Sequence, residues 1–445
     1  MSVPRESYEL SNLSAAKTVT PMVVVISGAT GLDRDDLDRE QLARLGKRSV
    51  LKVGALIHSL LLLCAVLVTW EGILMSLAPG LANGGPSGLI YGFTFVWIGN
   101  LSVFSTLCEL ISIAPMSGGQ YHWVAMLAPR SCSKFLSYVT GWLTLAGWQG
   151  TCAASSYLTG TMLQGLIAFM MCEEVKNPSV AVPRSIMTSI VINGSMGLAI
   201  VIAMLHGATD IDKAINSATG YPSIEIIYQA TGSIGRTAAI TSFIVTMSVS
   251  CLIGTIAATS RVFWSFARDH GLPFLPTLSQ VDSWTGVPVW AIGITSIISC
   301  LLALINIGFT AVYNAIISIA VSGLYSSYLM AASLLLYRRV GKGFKLPDPS
   351  AFPALADTGA GEGQTLAWGP WHVPGVFGII NNTYACLYLA LIWFFSFWPP
   401  AVNPGVASMN FAVLITGCIF IFSVLYYLTW ARREYKGPIV ENLSE

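Results

Sequence analysis

Charge is what this sequence has least of. Only 10% of its 445 residues are Asp, Glu, Lys or Arg, against about 25% in an ordinary soluble domain. Set beside 54% hydrophobic residues, that scarcity excludes both a soluble globular chain and a disordered one. The net charge of +1 and the lack of clustered basic residues give no footprint for nucleic acid. Nine cysteines contain no CxxC pair, and most stand inside apolar runs as small packing residues. The five histidines, His58, His122, His206, His270 and His372, show neither HxxxH nor HExxH spacing, so no metal and no cofactor is expected. No nucleophile set or phosphate loop is recognisable, which speaks against an enzyme. Nothing at the start reads as a secretory signal, because no basic opening leads into an apolar core and cleavage site.

Long uncharged runs are what the chain has in abundance. Neither Phe135 to Met171 nor Ser185 to Leu205 contains Asp, Glu, Lys or Arg, and about 20 apolar residues suffice to cross a hydrocarbon core roughly 30 Å thick. Between them lies a charged, proline-punctuated break, CEEVKNPSVAVPRS from Cys172 to Ser185, which belongs at a membrane surface. Runs and punctuation together predict nine spans: Val53 to Leu77, ended by Pro79; Gly88 to Ala114; one beginning at Phe135; Ser185 to Leu205; Ala238 to Phe266; Val287 to Ile307; Thr310 to Tyr337; Val373 to Trp398; and Met409 to Trp430. Residues 1–52 form a polar N-terminal tail and 431–445 a C-terminal one, flanking a membrane domain over 53–430. Within the first tail, VVVISGATGLD (Val23 to Asp33) superficially resembles a nucleotide turn, but no room remains for the βαβ unit that such a site needs.

Basic residues fix the orientation. The long connection from Gly207 to Arg236 carries only Lys213 and Arg236, and the connections around Gly84, Gly308 and Pro400 carry none. The remainder cluster in the tails and in the connectors after spans two, three, five and seven, which places both termini in the cytoplasm. Nine crossings contradict that placement. The conflict lies between Phe135 and Cys172, where both ends carry inside-type charge yet a single crossing separates them; one straight helix there would be about 55 Å long.

Three strings then point to a family. SGGQYHWVAMLAPRSCSKFLSYVTGWLTLAGWQ (Ser117 to Gln149), EEVKNPSVAVPRSI (Glu173 to Ile186) and TSRVFWSFARDHGLP (Thr259 to Pro273), with TWEGIL at Thr69 and VPVWAI at Val287, resemble the fungal amino-acid permeases of the GABA and choline permease type, in the amino acid/polyamine/organocation superfamily. The resemblance implies an all-α polytopic fold of twelve helices with inverted repeats, in which EEVKNP follows the sixth helix. Here it follows the third, so helices four, five and most of six look deleted, leaving about nine. It further implies a secondary active transporter of amino acids or related amines such as GABA or choline, working by alternating access with the proton as coupling ion. Substrate, proton and lipid bilayer are then the partners. The expected location is the plasma membrane, with an intracellular membrane as the alternative, and the rival reading is a non-transporting remnant with a structural or interaction role.

Candidate residues follow from chemistry and from that fold. Glu71 is the only Asp, Glu, Lys or Arg between Lys52 and Glu109; a carboxylate inside a span marks an ion or substrate path, whereas one at the outer interface is bland. Its neighbours Thr69 and Gly72 share the helix-one position where the resemblance places substrate. Small-residue rows at helical spacing, Gly147/Thr151/Ser155/Thr159, Thr246/Ser250/Gly254/Ala258 and Ser318/Ser322/Ser326, favour close helix contact and can also line a path, with Ser155, Ser250 and Ser322 as its candidates. Glu173, Glu174 and Lys176 are candidates for an inner gate, as is Arg261, although a solvated face or a snorkelling arginine is the simpler account.

Overall fold

The computed structural model describes residues 73–74, 77–116, 118–157, 178–217, 222–272, 275–282, 287–308, 310–341, 344–345, 366–399, 410–435 and 437. In chain order these form α1 (Leu77–Ile113), α2 (Gln120–Leu127), α3 (Ser133–Tyr157), α4 (Pro178–Gly207), α5 (Ile211–Ile215), α6 (Pro222–Thr231), α7 (Ile234–Arg268), α8 (Leu275–Leu278), α9 (Val289–Gly308) and α10 (Thr310–Val340). A two-residue parallel pair, β1 (Phe344–Lys345) with β2 (Leu366–Ala367), precedes α11 (Gly375–Phe395) and α12 (Ala412–Tyr426). A five-residue π-helical turn, Tyr427–Ala431, then leads into α13 (Arg432–Glu434). Apart from that short pair, the described chain is helical. This is what the bilayer demands, because a helix satisfies its own backbone hydrogen bonds where no water can.

Among the described residues, five stretches are long and apolar enough to cross a membrane: Gly80–Ile113, Val182–Gly207, Ile316–Val340, Gly375–Phe395 and Ala412–Glu434. Their outward faces are bare hydrocarbon. On α12, Val413, Leu414, Ile421 and Leu425 are all more than half exposed, a pattern suited to lipid and costly in water. One boundary differs from expectation. Pro79 does not end a helix; α1 runs through it and breaks at Gly85, whose φ of 60° and ψ of −164° lie outside the helical region. Only glycine adopts that conformation readily, and Pro86 then restarts the helix at a position where a missing N–H costs nothing. The first expected span, from Val53, lies almost wholly outside the described residues.

Partners along the helices fix their directions. Cys108 lies against Pro183, and Trp97 against Ile190 and Gly194, so α1 and α4 are antiparallel. Gly147 meets Leu324 and Gly150 meets Ala320, making α3 and α10 antiparallel too. Ser102 bonds Asn381 while Glu109 bonds Val373, which sets α11 against α1 in the same sense. The lower ends of α1, α7, α10 and α13 therefore gather with the starts of α3, α4 and α11 at one end of the bundle, which carries Arg268, Arg338, Arg339 and Arg432. We refer to this as the basic end. A consequence bears on the count of crossings: α3 and α4, successive long helices, both start there.

Bare glycine backbone sets the tightest helix contact. A Cβ on Gly147 would stand 2.6 Å from the Leu324 amide nitrogen, and one on Gly323 would stand 2.8 Å from the Gly147 Cα. Close approach of this kind is how helices gain packing where lipid supplies no hydrophobic drive. Gly147→Ala is expected to destabilise the protein by about 1–3 kcal/mol through overpacking, seen as a lower thermal midpoint in detergent. Gly293→Ala is the control, because its Cβ meets nothing within 4 Å. Equal midpoints for the two variants would refute the assignment of Gly147 as the contact.

Candidate functional site

Between α1, α4 and α10 the helices leave a cavity of about 400 Å³, within the range of small-ligand sites. Its wall is aliphatic and aromatic, with Leu77, Phe93, Trp97 and Phe104 from the α1 side and Leu324 and Tyr328 from α10. Two glycines of α4 hold the aromatic side in place. A Cβ on Gly194 would collide with the Trp97 ring, and one on Gly197 would stand 2.8 Å from Phe93. Trp97 is pinned further by donating from Nε1 to the Ile190 carbonyl at 3.1 Å. Among the described residues that line the cavity, none is Asp, Glu, Lys, Arg or His. Asn100, Tyr325 and Tyr328 supply its polar atoms beside the committed Trp97 nitrogen.

Below the cavity, towards the basic end, a polar ladder descends α1. Ser102 donates to the Asn381 carbonyl at 2.8 Å, Thr106 to Asn382 Oδ1 at 3.2 Å, and Asn382 Nδ2 in turn to Glu109 Oε2 at 3.0 Å. Positions 102, 106 and 109 share one helix face. Glu109, fully buried, receives Arg339 Nη1 at 2.8 Å on both oxygens and the Val373 amide at 2.8 Å on Oε1. Arg339 also donates through Nη2 to the Val373 carbonyl and lies 4.6 Å above the Trp368 ring. A carboxylate with four hydrogen bonds from three donors and an arginine with a carboxylate, a carbonyl and a ring face are as well compensated as buried charges can be.

A second network closes the other side of the basic end. Tyr121 of α2 donates to Asp269 Oδ2 at 2.8 Å and lies 2.9 Å from the Ser265 hydroxyl. Tyr435, just past α13, meets Ser137 Oγ at 2.7 Å. Burial first, and then the Asp269 carboxylate, hold the Tyr121 phenol well above its usual range, so it remains a donor. Both clusters join segments far apart in sequence and lie at the ends of helices, leaving the cavity itself apolar.

Of the residues singled out from sequence, Thr69, Glu71 and Gly72 lie outside the described residues, as do Glu173, Glu174 and Lys176. Ile73, the residue after Gly72, is buried and borders the cavity. Ser155 and Ser250 fall within α3 and α7, and their side chains are outside the description. Ser322 is buried in α10, 2.7 Å from Thr416 Oγ1 of α12, where it ties two helices together and does not border the cavity. Arg261 lies partly buried on α7, away from the cavity lining. Sequence reasoning passed over Glu109, seen there only as the next charge after Glu71, and Arg339. The signal that could have found Glu109 is a lone carboxylate within an apolar run.

Packed spanning helices, lipid-type outer faces and a cavity between helices define a polytopic, integral membrane protein. The chain belongs to the amino acid permease family, whose profile matches residues 55–171 and 167–421. A Macrophomina phaseolina protein named as an amino acid/polyamine transporter is 24% identical over 444 residues, covering 76% of this chain and 93% of that one. The choline transporter of Saccharomyces cerevisiae is 23% identical over 478 residues, covering 83% and 80%. The GABA-specific permease of the same yeast is 28% identical over 278 residues, covering 61% and 44%. The alignment with the choline transporter is longer than this whole chain, although it takes in only part of it.

The charge pair makes a stability prediction. Glu109→Ala leaves a buried arginine without its carboxylate and is expected to cost about 3–5 kcal/mol, and Glu109→Ala with Arg339→Met is expected to recover part of that loss. Thermal unfolding in detergent of the wild type, both single variants and the double variant measures the coupling. Additive losses would show that the two groups do not act as a pair.

Proposed function

We propose that this permease is a secondary active transporter of amino acids or related amines that works by alternating access and couples uptake to protons. Family membership carries the reading, and the cavity of small-ligand size between α1, α4 and α10 supports it. Transport requires a compartment that faces each side in turn, and cavities between packed helices are where such folds hold their cargo. Relatives named for polyamines, choline and GABA set the range of candidates. Glu71, two residues before cavity-lining Ile73, is the proton-carrying group in this reading, while Glu173, Glu174, Lys176 and Arg261 form its inner gate.

A second reading has its own observation. The profile matches in two pieces that meet at residues 167–171, and α3 and α4 both start at the basic end, with 158–177 between them. These facts support an internal deletion of helices four, five and most of six, and with it a shortened protein that does not transport. Amplifying and sequencing the transcript across codons 160–180 separates the two. A longer product is expected, inserting roughly a hundred residues, enough for the three lost helices at about 20 residues per span. For the transporting form, proteoliposome uptake driven by an inward proton gradient is expected, with Glu71→Gln abolishing the dependence on external pH. Uptake by Glu71→Gln with an unchanged pH profile would remove Glu71 from the coupling role.

A further inference from the structure

The rings that border the cavity come in pairs. Phe93 and Trp97, one helical turn apart on α1, have ring centroids 6.5 Å apart at an interplanar angle of 39°. Tyr325 and Tyr328 on α10 repeat the arrangement at 6.3 Å and 43°. All four border the cavity, and Phe104 joins them from α1. The α1 pair meets α4 by its edges. Trp97 donates through Nε1 to the Ile190 carbonyl at 3.1 Å, and the atoms nearest a Cβ on Gly194 would be its Nε1, Cε2 and Cδ1. A Cβ on Gly197 would likewise meet Phe93 at the rim atoms Cζ and Cε2. Ring edges are the positive rim of the π-quadrupole, and ring faces are its negative part. Seating the edges on bare α4 backbone leaves the faces to the space beside them.

We propose that this aromatic wall binds a quaternary ammonium group by cation–π attraction, that the preferred cargo is therefore a small trimethylammonium compound, and that Phe93, Trp97, Tyr325 and Tyr328 are its specificity-determining residues. This rests on the transport reading and narrows its substrate class. A cation is drawn to a ring face within about 6 Å of the centroid, most strongly where water is excluded. Centroids 6.5 and 6.3 Å apart let one cation lie within that distance of both rings of a pair. A quaternary ammonium suits such a wall better than a primary one. Its charge is spread over methyl groups that pack against rings and against Leu77 and Leu324, and it has no N–H to satisfy. A primary ammonium brings three donors, and each needs an acceptor when it leaves water. Glu71, assigned above to proton coupling, favours a cation as well, so its contribution has to be separated from that of the rings by experiment.

The test compares choline with neohexyl alcohol, its neutral isostere, in which carbon replaces the ammonium nitrogen and the shape is kept. Calorimetric titration of the purified full chain in lipid nanodiscs is expected to show choline binding at least about tenfold tighter than the alcohol. Tyr325→Phe keeps a ring and is expected to keep that ratio, whereas Tyr325→Leu and Phe93→Leu are each expected to lower it about threefold or more. In Glu71→Gln choline is still expected to outbind the alcohol. Alcohol binding as tight as choline binding, no choline binding, an undiminished preference in folded Phe93→Leu and Tyr325→Leu, or a preference lost with Glu71→Gln alone would each overturn the proposal. Where a leucine variant fails to fold, the Glu71→Gln titration decides, because a preference kept without that carboxylate belongs to the rings. Proteoliposome uptake keeps the two claims apart. Charge-selective, ring-dependent binding without uptake retains the aromatic site and removes the transport reading, whereas proton-driven uptake of amino acids without choline binding does the reverse.

Discussion

The pairing of Glu109 with Arg339 is the interaction on which the architecture of the basic end depends. Each group is too costly to bury alone, and each is buried. Their joint solution recruits α1, α10, the start of α11 and the Trp368–Val373 segment to one point, because the carboxylate needs the Val373 amide and Asn382 as well as the guanidinium. The backbone accommodates this at close range. A Cβ on Gly378 would collide with Arg339, and one on Gly369 would collide with Ser112, whose hydroxyl accepts the Trp371 amide at 2.7 Å. Geometry this constrained fixes how α1 and α11 face each other along the whole ladder above, from Glu109 up to Ser102.

Apolar packing does the complementary work. The α3–α10 contact depends on the absence of side chains at Gly147 and Gly323, and the aromatic wall of the cavity depends on their absence at Gly194 and Gly197. In one case bare backbone brings two helices together; in the other it receives rings that would otherwise fill the space between them. Glycine thus sets both where the bundle closes and where it stays open, which composition alone does not reveal.

Much of the helical layout was legible in the sequence because the bilayer enforces it. Spans at Ser185 to Leu205 and Thr310 to Tyr337 are uncharged and Gly88 to Ala114 carries Glu109 alone, because charges are costly in hydrocarbon, and helices cover the three up to Ile113 in the first. Pro79 misled because a proline in the first turn of a helix is tolerated, whereas the residue that breaks α1 is Gly85. The candidate site was far less legible. Glu109 and Arg339 are separated by 230 positions, and no local pattern announces such a pair. On α10 the row Ser318/Ser322/Ser326 was visible through its spacing, yet the cavity lies on the face of Tyr325 and Tyr328, whose types read as ordinary core.

The direction of the helices sharpens the parity conflict that charge alone raised. From α4 onward the long helices alternate towards and away from the basic end, as short connections require. Only between α3 and α4 does the alternation lapse, and it does so across 158–177, a stretch of 20 residues joining the far end of one helix to the basic end of the next. At about 3.3–3.6 Å per residue an extended chain of that length can reach. Reach is not the limiting factor, however. Extended backbone at membrane depth needs protein on every side to satisfy its N–H and C=O groups, and a helical return needs close to 20 residues for itself before any turn is allowed for. The family profile divides in the same region, its two matches meeting at residues 167–171.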